Sequence, residues 1–220
     1  MQKIDKSTIL SKGFEDWHNL LELDRHPNYN SSSNTHYWDI KMSLLYCQGG
    51  LCAYTEQKLC DISWIEKVNW NDVKYNKLLS REDKNCIQGD LEHFDESLKN
   101  NNGWSWDNFF VVSAHANRCI KGRKPVKDIL KPDSLGYEAE KYLVFNIDVG
   151  VFAPNPTLSD NDKKDVESMI ETLGINCIYS QRKDRLLEWL ERIDLGLEVV
   201  PNEYITAWKM ILNDYPQKLT

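Results

Sequence analysis

The sequence predicts an α+β chain, mostly helical, with one small strand pair embedded in a helical scaffold. Three observations carry that reading. A short segment ending in Glu92-His93-Phe94 and the apolar run Phe109 to Val112 flank a loop from Asp95 to Gly103 that is rich in Asn and Lys. Between Tyr142 and Phe152, the residues Leu143, Phe145, Ile147 and Val149 alternate with Val144, Asn146 and Asp148, and Gly150 marks a hairpin or strand end. Elsewhere the apolar residues recur at helical spacing.

Taken in order, Phe14, Trp17, Leu20 and Leu21 predict an N-terminal helix, followed by a turn-rich tract from His26 to Asn34 in which His26, before a proline, reads as plain surface. Trp38, Met42 and Leu45 share one face of a helix over 38–47 that Gly49-Gly50 stops, and this aromatic stripe reads as core. Asp61 to Asn85 predicts a helix and a connection. Ser159-Asp160 opens a helix through Val166, Met169, Ile170 and Leu173 that Gly174 closes. Ser180 to Ile193 gives another helix, with Leu186, Leu187, Leu190 and Ile193 on one side. Pro201 is read as the start of a last helix, with Tyr204, Trp208 and Leu212 at helical spacing.

Composition bounds the function. Among 220 residues, a hydrophobic share of 41% and eight Trp argue for a folded core rather than a disordered chain. With 27 basic against 34 acidic residues the net charge is −7, which excludes a protein that coats nucleic acid with its whole surface. Any such contact is local, or a partner supplies the positive surface. Residues 1–12 lack the apolar run of a signal peptide and no apolar stretch reaches bilayer length, so the expected location is the cytoplasm with no membrane contact. In that reducing setting the six cysteines are not expected to pair.

The residues with chemistry cluster between Asp90 and Lys121. An acid beside a histidine, Glu92-His93, ends the first strand; a second strand follows the loop, and a polar helix with His115, Asn117, Arg118 and Lys121 comes straight after it. Strand, loop, strand and helix with His and Asn at the corners is the layout of a ββα-metal finger, which points to phosphodiester cleavage. One Mg²⁺ or Mn²⁺ on Glu92 and on Asn117 or His115 would stabilise charge on the leaving oxygen. His93 is the candidate base, since an imidazole titrates near neutrality, and Asn108 is the candidate to fix its tautomer. From Arg118 to Lys131, six basic residues, Arg118, Lys121, Arg123, Lys124, Lys127 and Lys131, stand against Asp128 alone. Such a ridge suits phosphate contacts, with Arg118, Lys121, Arg123 and Lys124 nearest the proposed site; a solvated charged face is the alternative. Cys52 and Cys119 are either small, partly buried residues or remnants of a zinc site. A tetrahedral knuckle needs paired cysteines, but Thr55 stands where Cys52's partner belongs, and Ala114 and Asn117 supply no sulfur near Cys119, so structural zinc is not expected.

Gly50-Leu51-Cys52-Ala53-Tyr54-Thr55-Glu56, then Leu91-Glu92-His93-Phe94, Trp106-Asp107-Asn108-Phe109-Phe110, Asn117-Arg118 and Lys121-Gly122 occur in the order seen in HNH endonucleases of the PtuB type, which this chain resembles from about Trp38 to Ile193. Asp128 to Asp133 and Leu173-Gly174-Ile175-Asn176 follow the same order. The resemblance implies a metal-dependent nuclease acting on DNA or RNA, and a PtuA-like ATPase as partner in Septu antiphage defence. In retron systems it also implies a reverse transcriptase and its msDNA. The chain departs from the family's paired cysteines and spaces Asn117 and Lys121 one residue further apart, which leaves Asn117 and His115 as rival ligands. A nuclease-fold adaptor without catalysis is the alternative. On this reading residues 1–50 form an N-terminal helical segment, 51–125 the nuclease core, and 126–220 a C-terminal strand and helical region within one compact unit.

Overall fold

In a computed structural model the chain is described over residues 1–21, 26–27, 29–30 and 34–214. Positions 28 and 31–33 of the expected turn-rich tract lie outside the described residues. The architecture is α+β, with helices around two separate two-stranded antiparallel sheets. The helices are α1 Lys12–Leu21, α2 Tyr37–Cys47, α3 Arg81–Cys86, α4 Lys99–Asn102, α5 Ala139–Tyr142, α6 Asp160–Leu173, α7 Tyr179–Asp194 and α8 Ile205–Asp214. The strands are β1 Asp90–His93, β2 Phe109–Val112, β3 Leu143–Asn146 and β4 Val151–Pro154.

β1 and β2 pair in the register Asp90 to Val112, Leu91 to Val111, Glu92 to Phe110 and His93 to Phe109. All four β2 residues are buried, so this strand runs as a continuous apolar segment through the core. Its far edge needs partners for its backbone groups, and the amide side chain of Gln48 provides them. Gln48 Nε2 donates to Val111 O at 2.8 Å and its Oε1 accepts from Val111 N at 2.8 Å. Gly49 and Gly50, at φ +63° and +75°, turn the chain off α2 so that Gln48 can lie along that edge.

The second sheet repeats the device. β3 and β4 form the hairpin expected around Gly150, and Asn176 closes its edge, with Nδ2 donating to Phe152 O and Oδ1 accepting from Phe152 N, both at 2.9 Å. α6 matches its expected boundaries. The Ser159 hydroxyl accepts from Asp162 N, and Gly174 ends the helix in the left-handed region at φ +65°.

Three expectations are corrected. Over 61–85, where a helix and a connection are expected, the tract around 64–70 makes two single turns, Ile62–Trp64 and Lys67–Asn69, and the helix is the short α3 at its end, which Ser80 and Asp83 cap reciprocally. The last helix starts at Ile205, not Pro201. Tyr204 just before it sits at φ +50°, and its first turn is capped from the distant Glu56, whose Oε2 accepts from Thr206 N at 2.8 Å. His26 is not plain surface but buried, its Nδ1 accepting from Trp104 N at 3.2 Å.

Candidate active site at the end of the first strand pair

Successive side chains on a strand face opposite ways, so the adjacent Glu92 and His93 are sent to different surroundings. Glu92 points into a buried chamber, where the Tyr54 hydroxyl donates to Oε2 at 2.5 Å and the Lys121 ammonium lies 2.5 Å from Oε1. Tyr54 comes from the turn after α2, which Cys52 and Glu56 close through a backbone bond. Lys121 comes from a wide-pitched helical segment, His115–Lys121, which follows β2 directly. Burial pushes the Glu92 carboxyl up to about 7, against the pull of Lys121 and of Tyr54.

His93 faces the other way, into an aromatic nest. Tyr29 meets its ring edge-on at 4.5 Å between centroids, and Phe109 lies at 4.8 Å. Its Nε2 is 2.8 Å from Gly103 O. A carbonyl can only accept, so Nε2 carries the proton and Nδ1 is the basic nitrogen. Nδ1 lies 4.0 Å from Glu96 Oε2. Burial, more than any charge, lowers the imidazole's pKa, and so keeps the ring neutral at pH 7.

Asn108 does not reach the imidazole. Its Oδ1 accepts from Asp95 N at 2.8 Å and its Nδ2 donates to Asp95 O at 2.9 Å. The expected tautomer-fixing role therefore belongs to the Gly103 carbonyl, while Asn108 braces the start of the loop. That loop is held at its far end as well: His26 Nδ1 accepts from Trp104 N, and His18 Nε2 accepts from Trp106 N at 3.3 Å. Three histidine rings thus touch the stretch 103–106.

Beside the loop lies a cleft of about 400 Å³ lined by Asp95, Glu96, Ser97, Arg123, Lys124, Pro125 and Val126. Of the six cations on the expected basic ridge, Arg123 and Lys124 are exposed and, among the described residues, in no ion pair. Arg118 is exposed but grips Asp90 with two bonds of 2.7 Å. Lys127 faces Asp165 at 2.5 Å and Lys131 faces Asp133 at 3.6 Å. Lys121, expected as a nucleic-acid contact, is fully buried, because its ammonium is taken by Glu92 and by His93 O at 2.9 Å.

The expected ligands of one divalent cation are not gathered. His115 is exposed at the start of its helical segment, Asn117 is half-buried, and Glu92 has both oxygens occupied. Among the described residues no three His, Cys, Asp or Glu side chains come together as a metal shell, so the donor set in this conformation does not fit a Mg²⁺ or Mn²⁺ ion. The cysteines do not converge either. Cys52 is buried and its Sγ accepts from Ser113 N at 3.3 Å, whereas Cys119 is exposed.

Sequence reasoning missed Tyr54, Gly103 as a hydrogen-bond acceptor, and Glu96. Only Glu96 left a local signal, an acid one turn beyond the histidine. A scan against protein-family models matches none, and a search of curated proteins finds no matching relative.

Proposed function

We propose that this chain is an endonuclease of HNH type that cleaves phosphodiester bonds of DNA or RNA, and that it works in the cytoplasm with a PtuA-like ATPase in antiphage defence. The observation that supports this best is His93, a neutral imidazole at the end of β1. Its Nε2 proton is committed to Gly103 O, and its basic Nδ1 stands behind Glu96 on the wall of a cleft that also presents Arg123 and Lys124. The order β1, loop, β2 and helical segment supports the reading, being the order that a ββα finger requires. In this reading the two cations hold the phosphate backbone, Glu96 swings aside, and His93 Nδ1 takes a proton from the attacking water, whose oxygen bonds to phosphorus as the bond to the leaving oxygen breaks and that oxygen takes a proton from solvent. That assistance is worth roughly 10²–10⁴-fold in rate. Glu96 is held outward by a bond to Lys99, at 3.0 Å between two partly exposed groups, so displacing it costs no more than about 1 kcal/mol.

A partner is part of the proposal. A net charge of −7 with two unpaired cations on the ridge gives the chain weak attraction of its own for nucleic acid, and a PtuA-like ATPase, or in a retron the reverse transcriptase with its msDNA, supplies further surface. One observation favours the adaptor reading instead: the His93 side chain is 3% exposed. Cleavage assays of the co-purified complex on plasmid, genomic DNA and total tRNA decide between the two. Cutting of any substrate that depends on His93 supports the nuclease, and none on all three supports the adaptor.

A further inference from the structure

The chamber beneath β1 balances its charges without any added ion. Both Glu92 oxygens are taken, one by the Lys121 ammonium at 2.5 Å and one by the Tyr54 hydroxyl at 2.5 Å. Lys121 is wholly buried and donates also to His93 O at 2.9 Å. One positive group meets one negative group where both are buried, with both carboxylate oxygens and two of the three ammonium protons partnered, which supplies most of what burial of an ion pair demands. A divalent cation on Glu92 would have to displace that ammonium and would add positive charge beside a carboxylate whose two oxygens are already taken. Such ions also require about six oxygen ligands, with several waters kept in the case of Mg²⁺, and among the described residues no three His, Cys, Asp or Glu side chains gather to supply them.

We infer that Lys121 is the resident cation of this site. Its ammonium takes the place on Glu92 where a divalent ion is expected, and through the bond to His93 O it fixes the strand end that carries the imidazole. Lys121 is thus a positioning residue that acts through His93. The inference uses the nuclease reading only to identify the site, and its test does not depend on cleavage.

The probe is Mn²⁺ alone, titrated into the intact chain, with bound ion counted by electron paramagnetic resonance. The Lys121 ammonium is followed in a spectrum of ¹⁵N-lysine-labelled protein. The expected result is no stoichiometric Mn²⁺ at millimolar concentration, no change of unfolding temperature in EDTA, and one slowly exchanging ammonium signal that Glu92→Gln removes. One Mn²⁺ per chain that Glu92→Gln abolishes would overturn the inference. So would broadening or release of the protected ammonium signal when Mn²⁺ is added to the unaltered chain, a measurement that stands even if Glu92→Gln does not fold. Cleavage that requires Mn²⁺ bound at Glu92 keeps the nuclease and removes this inference. Absence of both cleavage and bound Mn²⁺ removes the nuclease and leaves Lys121 in place.

Discussion

Glu56 shows how one residue with unusual backbone can tie distant parts of the chain together. It sits at φ +58°, a region costly for a residue with a Cβ, and its buried carboxylate accepts from Thr206 N and from the Thr206 hydroxyl and faces the Met1 amine at 3.4 Å. Burial pushes this carboxyl up, but the amine, the Thr206 bonds and Arg182 together outweigh it and hold the group below its ordinary value of 4.5. A carboxyl with a folded pKa below the unfolded one adds stability that is complete above the unfolded pKa and is lost as pH falls through the folded one. Glu56→Gln is therefore expected to lower stability at pH 7 by about 1–3 kcal/mol. The deficit against the unaltered chain should shrink as pH drops below 4.5, as chemical denaturation at a series of pH values will show. A second expectation at this scale concerns Asn108. Asn108→Ala removes both bonds to Asp95 and should cost about 1–3 kcal/mol. Cleavage should fall with it while the imidazole keeps its bond to Gly103, a combination that stability and activity measured on one preparation can establish.

At the scale of elements, the glycines rank themselves. A Cβ on Gly150 would lie 2.4 Å from Tyr179 O, a backbone atom that cannot yield, and φ there is +75°. Gly174, at φ +65°, would press a Cβ to 2.8 Å from the tip of Ile120 where α6 meets the 115–121 segment. Gly136 has nothing within 4 Å and no left-handed φ. Thermal unfolding should therefore order the alanine variants with Gly150→Ala the least stable, Gly174→Ala next, each losing more than about 1 kcal/mol, and Gly136→Ala close to or above the unaltered chain. Equal effects at all three positions would contradict the packing described. α6 was legible in sequence to the residue, since its cap, its apolar spacing and its terminating glycine are all local. The β1 and β2 strands were legible for the same reason. The start of α8 was not: the group that caps it stands 150 residues earlier, and Pro201 gave a stronger local signal than the true boundary. Lys121 was misread on similar grounds. A lysine in a basic run reads as solvated, and only the fold reveals that a buried carboxylate awaits it.

For the whole molecule, the proposed function requires a chain of net charge −7 to meet a polyanion. Pairing of Arg118, Lys127 and Lys131 with acids and burial of Lys121 leave Arg123 and Lys124 on the cleft as the local positive surface of the ridge. If each contacts one phosphate, the double variant Arg123→Gln/Lys124→Gln should flatten the logarithmic salt dependence of duplex DNA binding by about 1.8. An unchanged slope would move the contact surface elsewhere, for instance wholly onto a partner. The core itself is continuous, with buried residues from Met1 to Ile211 in one cluster, so a disturbance in the cleft is read against a single packed interior.

His93, proposed as the base of a nuclease, is put to the test by replacing it alone. The assay compares the intact chain with His93→Ala, each co-purified with the proposed ATPase partner, for cleavage of nucleic acid, beside circular dichroism and recovery of the partner. The expected result is a folded, partner-bound variant whose cleavage rate is down by roughly 10²–10⁴-fold. A folded, partner-bound His93→Ala that cleaves at the original rate would remove His93 from the chemistry, and the proposed mechanism with it.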